Sequence, residues 1–385
     1  HLIRCCTERN QQVSLFIEIQ RGLRLSSRTL IQNVALTKIL VLRFSAMGDV
    51  VLLVPVIRSF IAAYPDAEVT VVTRPKFASF FTDIQGVVPF PADVDHTYNG
   101  ILGMRDLFKK LLRKASYDVV LDMHDHMRTV MLRSMFKIFF TRVVVFDKGR
   151  KEKKTIARKL NKATTPLIHT VERYRLAFEK AGFPFAIQPP PYFQIKESVI
   201  EETNEWLAKN QVTKKEKWIG IAPFAMHLTK IWPLENYSKV MSMLLEKFPA
   251  KFFFFGGGEK EIKFFEGLRQ KFPEQSIIVA GQLKLKHELA LMEKLDVMLC
   301  VDSSNMHLAC LMGIRVISIW GGTHTDVGFG PIGKGEESII QISRQELTCR
   351  PCSVYGREKC FRGDFACLTW ITPEGVADRV YNAIL

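Results

Sequence analysis

From residue 38 onward the chain alternates short apolar runs with longer stretches in which apolar residues recur three or four apart. Residues 38–44 form a run of aliphatic side chains with no polar alternation, the pattern of a strand covered on both faces. A turn through Gly48 follows, and residues 50–64 read as a helix with Pro55 in its early part. The same grammar predicts strands over 68–73, 86–90, 117–123 and 142–147, with helices over 77–83 and 104–116. A proline-rich stretch over 183–193 then reads as a linker. Beyond it the pattern restarts: strands over 218–222, 251–255, 276–280, 297–301 and 315–320, with helices over 233–248, from 259, 287–294 and 306–312.

Strands alternating with helices specify parallel, doubly wound sheets. The expectation is therefore an α/β protein of two Rossmann-like domains facing across a cleft, residues 38–190 and 191–385. Residues 1–37 lack periodicity and are read as an N-terminal extension without assigned function. No uncharged apolar run reaches membrane-spanning length, because Arg43 and Asp49 interrupt the closest approach, residues 41–57.

Charge changes this picture. The 385 residues hold 54 Lys and Arg against 39 Asp and Glu, a net of +15. Residues 105–159 alone contain 16 basic and 6 acidic side chains, so two thirds of the excess falls in that segment. An anionic partner is expected: nucleic acid, a membrane surface, or a phosphorylated or carboxylated substrate. Aromatic residues are not interleaved with the basic run, which argues against base stacking and hence against a nucleic-acid binder.

Candidate chemistry sits in turns after strands. In the first, Ser45, Gly48 and Asp49 lead into a helix whose free N–H groups suit an anion. Asp49 fits a general base, although local pattern alone favours a helix N-cap. In the second, Asp302, Ser303, Ser304 and His307 open another helix. They suit phosphate and sugar hydroxyls, or plain capping with a core histidine. Lys230, just before Pro233, is placed to neutralise a diphosphate or simply to meet water. Gly257 and Glu259 follow a strand, where glycine permits close backbone approach. Cys349, Cys352, Cys360 and Cys367 form C-x2-C-x7-C-x6-C, consistent with a structural zinc site or with reduced thiols.

In order and spacing, KILVLRFSAMGD, YDVVLDMHDHMRT, APFAMHLTKIWPLENY, FFGGGE and VDSSNMHLA, with the C-x2-C near the end, resemble glycosyltransferase family 9, the heptosyltransferases of lipopolysaccharide core assembly. The resemblance implies a GT-B fold and an inverting, metal-independent transfer from a nucleotide sugar, by family default ADP-heptose, to an anionic lipopolysaccharide core acceptor. It places Asp49 on the catalytic aspartate. It places Lys230, Asp302, Ser303, Ser304 and His307 at the donor, with Ser304 where the family has glycine. Asp122 and His124 fall on the acceptor-side strand end, and Arg128 is expected to touch acceptor acids. Arg105, Lys109, Lys110, Arg113 and Lys114 on one helix are expected to face the cytoplasmic surface of the inner membrane. A nucleotide-binding module without catalysis, making no use of Asp49, is the alternative.

Overall fold

The computed structural model describes residues 37–139, 141–158 and 162–385. The expected extension lies outside the described residues up to residue 36, as does Lys159 at the end of the basic run.

The first half comprises β1 (Lys38–Leu42), α1 (Met47–Val51), α2 (Val54–Ala63), β2 (Glu68–Thr73), β3 (Val87–Pro91), α3 (Gly100–Lys114), β4 (Val119–Asp122), α4 (Met127–Ile138), β5 (Arg142–Val145), α5 (Arg150–Ile156) and α6 (Thr170–Lys180). Its sheet has the order β3-β2-β1-β4-β5, all parallel. The second half comprises α7 (Glu197–Lys209), β6 (Lys217–Ala222), α8 (Glu235–Lys247), β7 (Ala250–Phe254), α9 (Glu259–Lys271), β8 (Ser276–Ile278), α10 (Leu285–Met292), β9 (Val297–Val301), α11 (Ser304–Leu311), β10 (Val316–Trp320), β11 (Ile339–Gln341), α12 (Ala366–Thr369) and α13 (Pro373–Ile384). Its parallel sheet runs β11-β10-β9-β6-β7-β8.

Both orders reverse direction beside the first strand of the half, between β1 and β4 and between β6 and β9. Such switch points open a crevice at the carboxyl ends of the strands, where ligands bind. Two-sided burial explains the apolar strands. In β1, Ile39 and Val41 pack with α1, α2 and α6, whereas Leu40 and Leu42 pack on the opposite face with Met104, Leu107 and Phe136. The period-2 alternation thus divides one run between two cores.

The helix expected over 50–64 is two helices, α1 and α2. Pro55 has no N–H to donate and its ring obstructs the preceding turn, so it stands in the first turn of a new helix. The proline-rich stretch has no regular secondary structure, yet it is held at both sides. Gln188 N donates to Ser59 Oγ at 2.9 Å in the first half, and Tyr192 N donates to Leu311 O at 2.7 Å in the second. Residues 167–170 add a further tie, with Leu167 N and Thr170 N each donating at 2.8 Å to Asp326 O and Gly328 O. No described helix is long and apolar enough to cross a membrane.

Candidate functional site

The carboxyl ends of the two sheets frame one cavity of about 630 Å³. Gly48 and Asp49 line it from the first half; Lys230, Gly257, Asp302, Ser303, Ser304 and His307 line it from the second. These eight positions, scattered over 260 residues of sequence, are thus brought together.

Asp49 is the third residue of α1 and does not cap it: Ala46 holds the N-cap position and no side chain caps the helix. Its Oδ2 instead pairs with Arg43 Nη2 at 2.5 Å. Arg43 extends β1, is 4% exposed, and donates through Nη1 to Met123 O at 2.6 Å. Its guanidinium lies 6.0 Å from the Phe146 ring centroid and 5.9 Å from that of Tyr174. Burial opposes the charge, but Tyr174 and Asp49 more than restore it, so the Arg43 pKa is raised. The oriented carboxylate keeps Oδ1 without a hydrogen-bond partner among the described residues.

Gly48 carries α1 across to the second half. A β-carbon there would stand 3.2 Å from His307 Cδ2, so a side chain would push the two walls apart. His307 is buried on α11, and burial pushes its pKa down to about 4. Its ring is therefore neutral near pH 7, with a partnerless Nδ1. Ser303 stands at the N-cap of α11, but its Oγ is also buried without a partner. The first turn of α11 thus offers free N–H groups, a hydroxyl and an imidazole to an anion. Beside it, Lys230 Nζ lies 2.9 Å from Asp302 Oδ2, which also accepts from Thr323 Oγ1 at 2.7 Å.

The cysteine segment braces Lys230. Thr229 N and Oγ1 donate to Arg357 O at 3.1 and 2.9 Å, and Arg357 N donates back to Thr229 Oγ1 at 2.8 Å. Gly322 N donates to Thr229 O at 2.7 Å, and Cys352 N to Gly322 O at 2.9 Å. Arg350, 1% exposed, gathers the end of β10 by donating to the carbonyls of Gly321, Trp320 and Thr323. Among the described residues no three His, Cys, Asp or Glu side chains are arranged to hold a metal ion. Cys367, on α12, is buried in the core, where burial pushes its thiol up to about 12. Cys352 Sγ donates to Gly322 O at 3.4 Å.

Several expected residues stand elsewhere. Glu259, first in α9, is exposed and lies off the cavity; Glu261 lines it instead, with Oε2 accepting from Gly257 N at 2.8 Å. Glu261, third in the helix, thus reaches back past the Gly258 N-cap to the residue before it. Asp122 is fully buried and committed within its own turn. It accepts from the backbone of His124 and Asp125 and pairs with Arg133 at 2.7 Å. Arg128 is paired with Asp95 at 3.2 Å, alongside Arg74. His124 packs edge-on against Phe44, and burial, followed by the charge of Arg43, pushes its pKa down to about 2. Ser45 is half-buried beside the cavity without lining it.

Two groups escaped the sequence reading. Lys153, on α5 and 9% exposed, sits 4.6 Å from the Phe329 centroid and 5.5 Å from that of Tyr355, with no ion-paired carboxylate among the described residues. Burial pushes its pKa down to about 8, against the opposing pull of Asp49. Glu288, on α10, lines the cavity, and burial pushes its carboxyl up to about 7. Neither follows from local pattern, because both owe their surroundings to the facing half of the fold or to neighbouring strand ends.

Comparison with known proteins agrees with this architecture. The lipopolysaccharide core heptosyltransferase OpsX of Haemophilus influenzae is 24% identical over 286 residues, 73% of this chain and 78% of that protein. Lipooligosaccharide heptosyltransferase 2 of the same organism is 28% identical over 259 residues, 64% of this chain and 71% of that protein. The crystal structure of a family 9 glycosyl transferase from Veillonella parvula superposes with a TM-score of 0.69 at 18% identity, covering 90% of this chain and 97% of that one. The E. coli ADP-heptose lps heptosyltransferase II gives 0.63 at 18% identity, covering 90% and 98%. The fold is accordingly GT-B. Residues 104–359 match the family described as glycosyltransferase family 9 (heptosyltransferase), and the chain belongs to that family, as a glycosyltransferase.

Proposed function

We propose that the chain is an inverting heptosyltransferase that moves heptose from ADP-heptose to a hydroxyl of an anionic lipopolysaccharide core acceptor. Residues 38–190 hold the acceptor in this reading, and residues 191–385 hold the donor. The observation that carries it is the cavity itself, which sets the Arg43-held carboxylate of Asp49 opposite Lys230 and the open first turn of α11.

The acceptor hydroxyl attacks the anomeric carbon, the carbon–oxygen bond to the diphosphate breaks, and the hydroxyl proton passes to Asp49. General-base assistance of this kind is worth about 10²–10⁴-fold. The departing ADP gathers negative charge, which Lys230 and the N-terminal dipole of α11 stabilise. Asp302 and Thr323 hold the Lys230 ammonium in place. His307, neutral and buried, donates or accepts one hydrogen bond without adding charge. The chemistry uses only these protein groups.

Around Asp49 the cations Lys148 and Lys153 suit the acids of the acceptor better than Arg128 and Arg150, whose charges Asp95 and Asp125 already meet. The exposed Arg105, Lys109, Lys110, Arg113 and Lys114 of α3 stand near exposed Ile101, Leu102 and Phe139. That combination suits the anionic cytoplasmic face of the inner membrane, with apolar side chains entering the headgroup layer.

Acceptor-dependent ADP release tests the reading, comparing wild type with Asp49→Asn. Loss of about 10²–10⁴ in turnover with ADP binding retained is expected. Equal turnover would return Asp49 to a structural role and favour a nucleotide-binding module.

A further inference from the structure

The cavity extends beyond what a diphosphate requires. Strand order β9-β6-β7-β8 lays four strand ends in a row. Asp302 follows β9, Lys230 follows β6, Gly257 and Glu261 follow β7, and Leu285 and Glu288 follow β8. With neighbouring strands about 4.8 Å apart, the row runs about 14 Å from the phosphate-binding end to Glu288. A nucleoside diphosphate lying along it puts its phosphates by Lys230, its ribose by Glu261 and its base by Glu288. Phe224 and Leu285 line the same stretch and supply apolar surface for a ring.

The two carboxyls of this stretch differ. Glu261 already accepts a hydrogen bond from Gly257 N. Glu288 is half-buried and has no hydrogen-bond or ion-pair partner among the described residues. Withdrawing a carboxyl from water without a partner is costly, and a ligand donor at that point removes the cost. We infer that Glu288 reads the nucleobase of the donor by accepting a hydrogen bond from an exocyclic amine, as adenine carries, and so selects against bases that present a carbonyl there. The inference rests on the nucleotide-sugar reading of the cavity.

Inosine diphosphate is the sharpest probe, because it replaces that amine by a carbonyl oxygen. Titration calorimetry with ADP, inosine diphosphate and UDP on the full chain is the test. At pH 8, where a carboxyl pushed up to about 7 is mostly ionised, wild type is expected to favour ADP over inosine diphosphate by about tenfold or more, the scale of one hydrogen bond to a charged group. Glu288→Gln, whose amide donates to the carbonyl, is expected to narrow or invert the ratio, and Glu288→Ala to narrow it. Equal affinities in wild type, or a ratio unchanged in both variants, would overturn the assignment. Lys230→Ala separates the two levels. If it weakens ADP binding while the Glu288 variants leave the ratio intact, only the base-reading role fails. If wild type binds no nucleoside diphosphate at all, the cavity reading fails with it.

Discussion

Arg43→Lys keeps the charge next to Asp49 and removes the fork that holds it. The guanidinium meets two acceptors at once, Asp49 Oδ2 at 2.5 Å and Met123 O at 2.6 Å. A lysine ammonium is a single point of charge on a flexible stem and does not reproduce that fork between two aromatic rings. Held on Asp49, it leaves the Met123 carbonyl unpaired in a buried site, at about 1–3 kcal/mol. Held on Met123, it leaves the Asp49 carboxylate free to turn. The expected result is a loss of about 1–3 kcal/mol in urea unfolding, with turnover falling about ten- to a hundredfold at 1.4 kcal/mol per decade. ADP affinity is expected to stay at the wild-type value, because Lys230 and Asp302 owe their geometry to each other and to Thr323, not to Arg43. Single-turnover ADP release at saturating donor, beside calorimetric titration of ADP, measures both quantities. Undiminished turnover in a destabilised Arg43→Lys protein would show that the ion pair serves the fold alone. An equal fall in ADP affinity would show that the two walls of the cavity do not act separately.

Two further outcomes follow from the same geometry. Gly356 has φ of +103°, and a β-carbon there would lie 2.8 Å from side-chain atoms of His227 and Lys230. Gly356→Ala therefore strains the backbone by about 1–3 kcal/mol and displaces the lysine; ADP binding about tenfold weaker is expected, and unaltered affinity would refute the bracing role. His307 titrates at about 4 when folded and near 6.5 when unfolded. Its contribution is intact above pH 6.5 and is lost as pH falls toward 4, up to about 3 kcal/mol. His124, pushed to about 2, adds a loss of the same sign. Urea midpoints between pH 7 and 4.5 should fall in wild type and fall less in His307→Gln; a flat wild-type profile would contradict the burial argument.

Much of the architecture was legible in the chain. Every expected strand is present, because strands buried on both faces need continuous apolar runs, and those runs stand out from the helical period. The pattern assigns no helix to α4, α5, α6, α7, α12 or α13; α5, for one, is mostly charged and leaves no apolar stripe to read. The site was legible where its residues sit in turns directly after strands, as Asp49 and Asp302 do. Arg43 falls inside the apolar run 38–44, where nothing local marks it as the group that holds Asp49. The glycine turn points to Glu259, the first acid after it, whereas the helix returns its third residue, Glu261, toward Gly257.

Alternation of apolar runs and helical periods, turn glycines and the excess of basic residues were properties of the linear chain. They determined two parallel sheets and the positions of the strand-end turns, and they carry the expectation of an anionic partner. Local sequence has no means of saying which turn faces which. Only the packing of one sheet's carboxyl edge against the other's brought Gly48 within van der Waals reach of His307. The same packing placed Lys153 beside two aromatic rings of the opposite half and left Glu288 in the cavity without a partner among the described residues. Desolvation and ion pairing depend on distances in space between residues far apart in sequence, so the tertiary structure alone decided them.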